Sequence, residues 1–207
     1  MKKNPSLLSK TKKAMIKINR EISLCVRCSL FKSREKTVPG EGNIKPKVFF
    51  IGEAPGNNED KSGRPFCGAA GKVLDRLFNS IDLTRKEAYI TNLVKCHPPQ
   101  NRKPKELEME ICSHHYLERQ LKLIKPEIIC TLGNSSTVFM FKKLGLGDKL
   151  ENISKIRGKI FNVAGGIVNA KKIVPLFHPA VAVYNPNNEG MLKKDFKILK
   201  NFLKIKA

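Results

Sequence analysis

The chain has 207 residues, 41% of them apolar, and a formal net charge of +22 at pH 7. That length supports one proper core and a single domain over 1–207, with no room for two. The charge is spread along the chain; part of it is a lysine-rich compositional habit, and the remainder points to a polyanionic partner.

In chain order, the basic N-terminal segment (about 1–24) predicts a helix over 8–24, followed by the pair "CVRC". It lacks the apolar core of a signal peptide, and no run approaches the ~18 apolar residues of a membrane span, so a cytoplasmic protein without a membrane partner is expected. "KVFFIG" (47–52) reads as a buried strand. A loop rich in glycine, proline and carboxylate follows, "GEAPGNNEDKSGRPFCG", and then a helix over 69–80. "AYITNLVK" (88–95) gives a second strand, 103–124 a long helix, "EIICTLG" (127–133) a third strand and 135–143 another helix. "KIFNV" and "GIVNA" suggest a small hairpin about Gly165-Gly166, "KIVPLFHP" (172–179) a last strand, and 191–204 a closing helix. Alternation of strands and helices predicts an α/β fold: a three-layer α/β/α arrangement around a mostly parallel four-stranded central sheet.

The loop after the first strand is not a standard phosphate cradle. In "GRPFCGAAGK", Ala69 stands where a P-loop needs lysine, and Lys72 is followed by Val73. Gly52, Gly56 and Gly63 are too widely spaced for a dinucleotide fingerprint. What the loop offers is close-approaching backbone, Glu53, Glu59 and an aromatic expected to be exposed, Phe66. In a reducing compartment, six cysteines read as thiols or metal ligands. Cys130 is a core residue by its strand. Cys25, Cys28, Cys96 and Cys112 could complete a four-thiolate site, which zinc and a 4Fe-4S cluster both accept. His97, His114 and His115 leave a mixed zinc site open, although the paired histidines fit a solvated helix face better.

"GEAPGNNEDKSGRPFCGAAG", "TNLVKCHPPQNRKP", "HPA" and the four cysteines resemble the family 4 uracil-DNA glycosylases, the iron-sulfur branch of the uracil-DNA glycosylase superfamily. The resemblance runs from Cys25 to His178. It implies the uracil-DNA glycosylase fold and a 4Fe-4S cluster on Cys25, Cys28, Cys96 and Cys112. It also implies a uracil pocket made by Gly52, Glu53, Ala54, the stacking Phe66, Asn92 and His178, with Glu53 and His178 as the catalytic pair. The substrate implied is uracil-containing DNA, single- or double-stranded, and a monomer is expected. The base would be flipped out and read on its Watson-Crick edge. An Asn92 amide suits the N3-H and O4 of uracil and mismatches cytosine.

Ala54 occupies the place where other branches of the superfamily carry aspartate, which leaves Glu53 and Glu59 as candidates for positioning water. Asp60 reads as a loop hydrogen-bonder. Two departures stand out: Cys67 replaces a common valine, and "VAVYNP" offers Val183 and Tyr184 where relatives often carry Leu-Arg to wedge the duplex. The basic insert of covalently binding branches is absent, so ordinary turnover is expected. Lys95, Arg102, Lys103 and Lys105 are candidate phosphate contacts. Two rivals remain: a non-catalytic iron-sulfur DNA-binding subunit, and a glycosylase for another deaminated base such as hypoxanthine.

Overall fold

The computed structural model describes residues 5–164 and 168–203. After helix α1 (Pro5–Ser23) come β1 (Glu41–Gly42), β2 (Val48–Gly52), α2 (Asn57–Ser62), α3 (Ala69–Asn79) and β3 (Tyr89–Asn92). Helix α4 (Glu106–Cys112) runs through a π-helical turn (Ser113–Leu117) into α5 (Glu118–Ile124). Then follow β4 (Ile128–Leu132), α6 (Asn134–Lys143), α7 (Ile153–Ile156), β5 (Phe161–Asn162), β6 (Lys172–Leu176), α8 (Ala180–Tyr184) and α9 (Glu189–Leu203).

The sheet has six strands among the described residues, in the order β1-β3-β2-β4-β6-β5. Its centre, β3-β2-β4-β6, is parallel and corresponds to the four strands expected. The expected count is corrected by two short antiparallel edges, β1 on β3 and β5 on β6. With two residues, β1 carries too little periodicity to be read as a strand, whereas β5 falls within "KIFNV", the first arm of the expected hairpin. The hairpin expected about Gly165-Gly166 is also corrected. Its second arm is β6 itself, paired Phe161 to Ile173, and the two glycines lie outside the described residues. Pro175 is tolerated in β6 because its carbonyl side faces past the end of β5, where Gly158 N-H donates to it at 2.8 Å.

The period of two in the central strands sorts side chains into two cores, as a sheet covered on both faces requires. Phe49 and Ile51 join Tyr89, Ile129 and Ile173 beneath α1, α4 and α5. Val48 and Phe50 join Ile90, Cys130 and Val174 beneath α3 and α9. Helix α9 is fixed there by Phe196, fully buried, with its ring 6.1 Å from Phe50 and 6.3 Å from Phe78. Arg76 of α3 reinforces the contact through Glu189 at 2.7 Å. No helix among the described residues is long and apolar enough to cross a membrane.

Truncating Phe196 leaves a void between sheet and helix that neighbouring rings cannot fill. Phe196→Ala is therefore expected to cost about 3–5 kcal/mol, measured as a lowered midpoint in chemical denaturation. A midpoint unchanged from wild type would mean that α9 is not docked by this ring.

Candidate active site

The parallel strands all deliver their chains to one edge of the sheet, which is where ligands bind in open α/β folds. Gly52 ends β2, Asn92 ends β3 and His178 follows β6. Asn92 and His178 meet in an open pocket of about 630 Å³ lined also by Glu53, Ala54, Glu59, Phe66, Asn101, Arg102 and Tyr184, and Gly52 lies just behind that lining. The expected pocket residues are thus brought together, with Gly52 forming the floor beneath Asn92 and Phe66.

Close approach explains the glycine. A β-carbon at Gly52 would stand 2.3 Å from Asn92 Oδ1 and 2.8 Å from Phe66 Cζ. Asn92 is buried, and its Oδ1 has no hydrogen-bond partner among the described residues. A buried acceptor left unpaired costs about 1–3 kcal/mol, so a donor from a ligand is the natural complement. Phe66 is buried rather than exposed, and its ring centroid lies 5.5 Å from that of His178, at a 32° tilt.

Burial lowers the His178 pKa to about 4, against the opposing charge of Glu59. The ring is neutral at pH 7, and Nδ1 accepts a hydrogen bond from the Ala180 N-H at 3.2 Å. Its single proton therefore sits on Nε2, making that nitrogen a donor.

The loop after β2 holds a structure its composition did not reveal. Helix α2 interrupts it, and Glu59 ties the two loop ends together. Glu59 Oε2 accepts from Gly56 N at 3.1 Å, while Oε1 accepts from Cys67 N at 2.9 Å and Gly68 N at 3.1 Å. With three of its lone-pair sites given to backbone, Glu59 is a loop brace, and Glu53 is the other carboxylate bordering the pocket. Asp60 is also a hydrogen-bonder, receiving Glu35 N at 3.0 Å from an adjoining segment.

Lys95 corrects an expectation. Instead of reaching outward to phosphate it is buried, with Nζ donating to Thr91 Oγ1 at 2.5 Å and Asn92 O at 2.8 Å. Leu93 and Val94 keep bonding to Gly52 O and Glu53 O after β3 ends, which carries the chain inward. Arg102 borders the pocket, clasped by Glu108 at 2.8 and 2.7 Å, while Lys103 and Lys105 are exposed. Val183 and Tyr184 of α8 are exposed, Tyr184 by 88% at the pocket rim.

Cys25, Cys28, Cys96 and Cys112 line one small cavity, together with Lys95, Arg34 and the apolar Ile22, Phe31, Ile111 and Tyr116. No three His, Cys, Asp or Glu side chains among the described residues converge as ligands of one metal ion would. The chemistry of the set still fits a thiolate-bound group. Arg34 Nη1 lies 3.2 Å from Cys96 Sγ, and the Lys95 backbone N-H bonds to the Cys112 sulfur. Burial, chiefly, pushes the Cys112 thiol up to about 12, against the lowering effect of Lys95, so a thiolate there is favoured by positive charge beside it. The π-helical turn begins directly after Cys112, a placement common at functional sites. Arg34 was not foreseen, since no motif marks it. His114 lies on an exposed helix face and His97 bonds Asn101 Oδ1 at 2.9 Å, outside the thiol cavity.

Fold and pocket bring an amide, an aromatic ring and a neutral imidazole together at the carboxyl end of a parallel sheet. The model of the Uracil DNA glycosylase superfamily matches residues 39–204, and the chain belongs to that superfamily. It is 49% identical to a type-4 uracil-DNA glycosylase of Saccharolobus solfataricus, over 90% of this chain and 85% of that protein. Similar type-4 enzymes occur in Sulfurisphaera tokodaii (47%, covering 87% and 81%) and Archaeoglobus fulgidus (42%, covering 87% and 88%).

The neutrality of His178 sets a pH dependence. Unfolded, the imidazole takes up a proton near its ordinary 6.5; folded, only near 4. Between these values the unfolded state binds more protons, so stability falls as pH drops through that window and levels off below it. Melting temperatures of wild type and His178→Gln at pH 7 and pH 5 should show the wild type losing more on acidification. Equal losses would mean that His178 titrates normally.

Proposed function

We propose that the protein is a uracil-DNA glycosylase of base excision repair: it draws uracil out of DNA, hydrolyses the N-glycosidic bond and leaves an abasic site. The observation that carries this is the unpartnered, buried Asn92 Oδ1 beside the Phe66 ring at the pocket floor. Uracil N3-H supplies the missing donor and uracil O4 accepts from the amide nitrogen, whereas cytosine presents the reverse order. Phe66 offers a stacking face worth about 1–3 kcal/mol.

Cleavage leaves negative charge on the departing base. The His178 Nε2-H donates to uracil O2, a fixed donor aimed at the developing charge. Glu53 orients the attacking water on the sugar side, since Glu59 is spent on the loop. Gly52 and Ala54 keep the wall low enough for the base to enter. Val183 and Tyr184 meet the bases flanking the vacated position, and Lys103 and Lys105, with the basic N-terminal helix, meet phosphates. Arg102 contributes a phosphate contact only at the rim, because Glu108 already holds it. The chain acts as one domain and a monomer in the cytoplasm, on single- or double-stranded DNA; both cores sharing one sheet supports the single domain.

Cys25, Cys28, Cys96 and Cys112 hold a 4Fe-4S cluster. Bound, it supplies a cross-link between α1, the end of β3 and α4, and positive charge that favours the buried thiolates.

Asn92→Asp replaces the donor amine with a second acceptor. Single-turnover excision of uracil should fall at least tenfold, by the ~1–3 kcal/mol of one bidentate match, and weak release of cytosine should become detectable. Assays on oligonucleotides bearing uracil, cytosine or hypoxanthine at pH 6 and 8 test this. Wild-type uracil release by the variant at both pH values would sink the pocket assignment, and release of hypoxanthine alone would name a different substrate.

The cluster has its own test. Protein purified without oxygen should be brown and lose its visible absorbance in Cys25→Ser. Colourless protein carrying one zinc per chain would refute it.

A further inference from the structure

Phe66 has a φ of +50°, a left-handed conformation that a non-glycine residue keeps only when its surroundings enforce it. Two groups outside the pocket do so. In the first turn of α3, Gly71 lies against the Phe66 backbone, where an added β-carbon would come within 1.7 Å of the carbonyl oxygen. From another direction the Arg85 guanidinium donates Nη1 to Pro65 O at 3.0 Å and Nη2 to Phe66 O.

The fork is itself aimed. Asp75 of α3 accepts from Arg85 Nε at 2.6 Å, and Glu41 of β1 accepts from Nη1 at 3.0 Å. Glu41 simultaneously receives Arg64 Nε at 2.9 Å, so the residue just before Pro65 is tied to the same carboxylate. With the Arg85 side chain only 20% exposed, these acceptors fix its plane. Arg85 is not among the residues lining the pocket.

We infer that Arg85 is a positioning residue for base stacking: by binding the carbonyls of Pro65 and Phe66 it holds the Phe66 ring in the plane on which an extruded base stacks. The inference rests on the reading of Phe66 as the stacking ring. A planar fork is needed because two carbonyls and two carboxylates converge on one group, which the point charge of lysine cannot serve at once.

A double-mutant cycle separates positioning from simple support. Arg85→Gln should slow single-turnover uracil excision about tenfold when Phe66 is present, yet change it by less than about twofold in a Phe66→Ala background. Inhibition by free uracil should weaken in parallel, and Arg85→Lys should recover part of both. The same fold-loss in both backgrounds would overturn the inference, as would wild-type excision by Arg85→Gln. If Arg85→Gln does not fold, Glu41→Gln removes one aiming carboxylate and must show the same dependence on Phe66, or the inference fails. Wild-type excision by Phe66→Ala alone would remove the stacking assignment, and the inference with it, before any Arg85 variant is made.

Discussion

Gly52 ends the central strand where a β-carbon would stand 2.3 Å from the Asn92 amide oxygen, so amide and aromatic ring share one floor only because no side chain separates them. That contact fixes the relation of three neighbouring elements. Strand β2 must stop there, β3 must run beside it in parallel with Asn92 opposite Gly52, and the loop must return with Phe66 above both. The α/β/α layering supplies the geometry at no extra cost, because parallel strands paired in register end together.

The loop is then held by two charged groups, Glu59 and Arg85. Glu59 gathers three backbone N-H groups on its inner side; Arg85 gathers two carbonyls on its outer side. Donors and acceptors of an irregular, part-buried backbone are thereby satisfied without a ladder, which is what such a segment requires to stay ordered. An arginine and a carboxylate of opposite sign serve the two opposite polarities of the peptide group.

How much of this was legible depended on the range of each interaction. The four central strands are short apolar runs, and their burial on both faces is written in Val48–Ile51 and Ile128–Leu132 alike. The pocket residues and the four cysteines stood out through motifs, and the fold brought each set together. Lys95 was misread because lysine in a basic stretch suggests solvent, and nothing local reveals that the chain turns inward past Asn92. Edge strand β1 was missed because two residues have no period, and β5, read in "KIFNV" as a hairpin arm, was given the wrong partner because pairing is not local. The roles of Glu59, Arg34 and Arg85 rest on partners between 3 and 62 residues away, and a single sequence carries no record of such pairings.

The buried Lys95 has one further consequence. Its Nζ donates to the carbonyl of Asn92, and the same residue forms part of the wall of the thiol cavity. The backbone of Asn92 and the thiol cavity are therefore joined by one side chain within the five residues from Asn92 to Cys96. Anyone transplanting this pocket onto another scaffold inherits that join: the end of β3 brings with it a buried amine, and the buried amine brings with it a wall of the thiol cavity. The two sites form one heritable unit, to be exchanged whole or not at all.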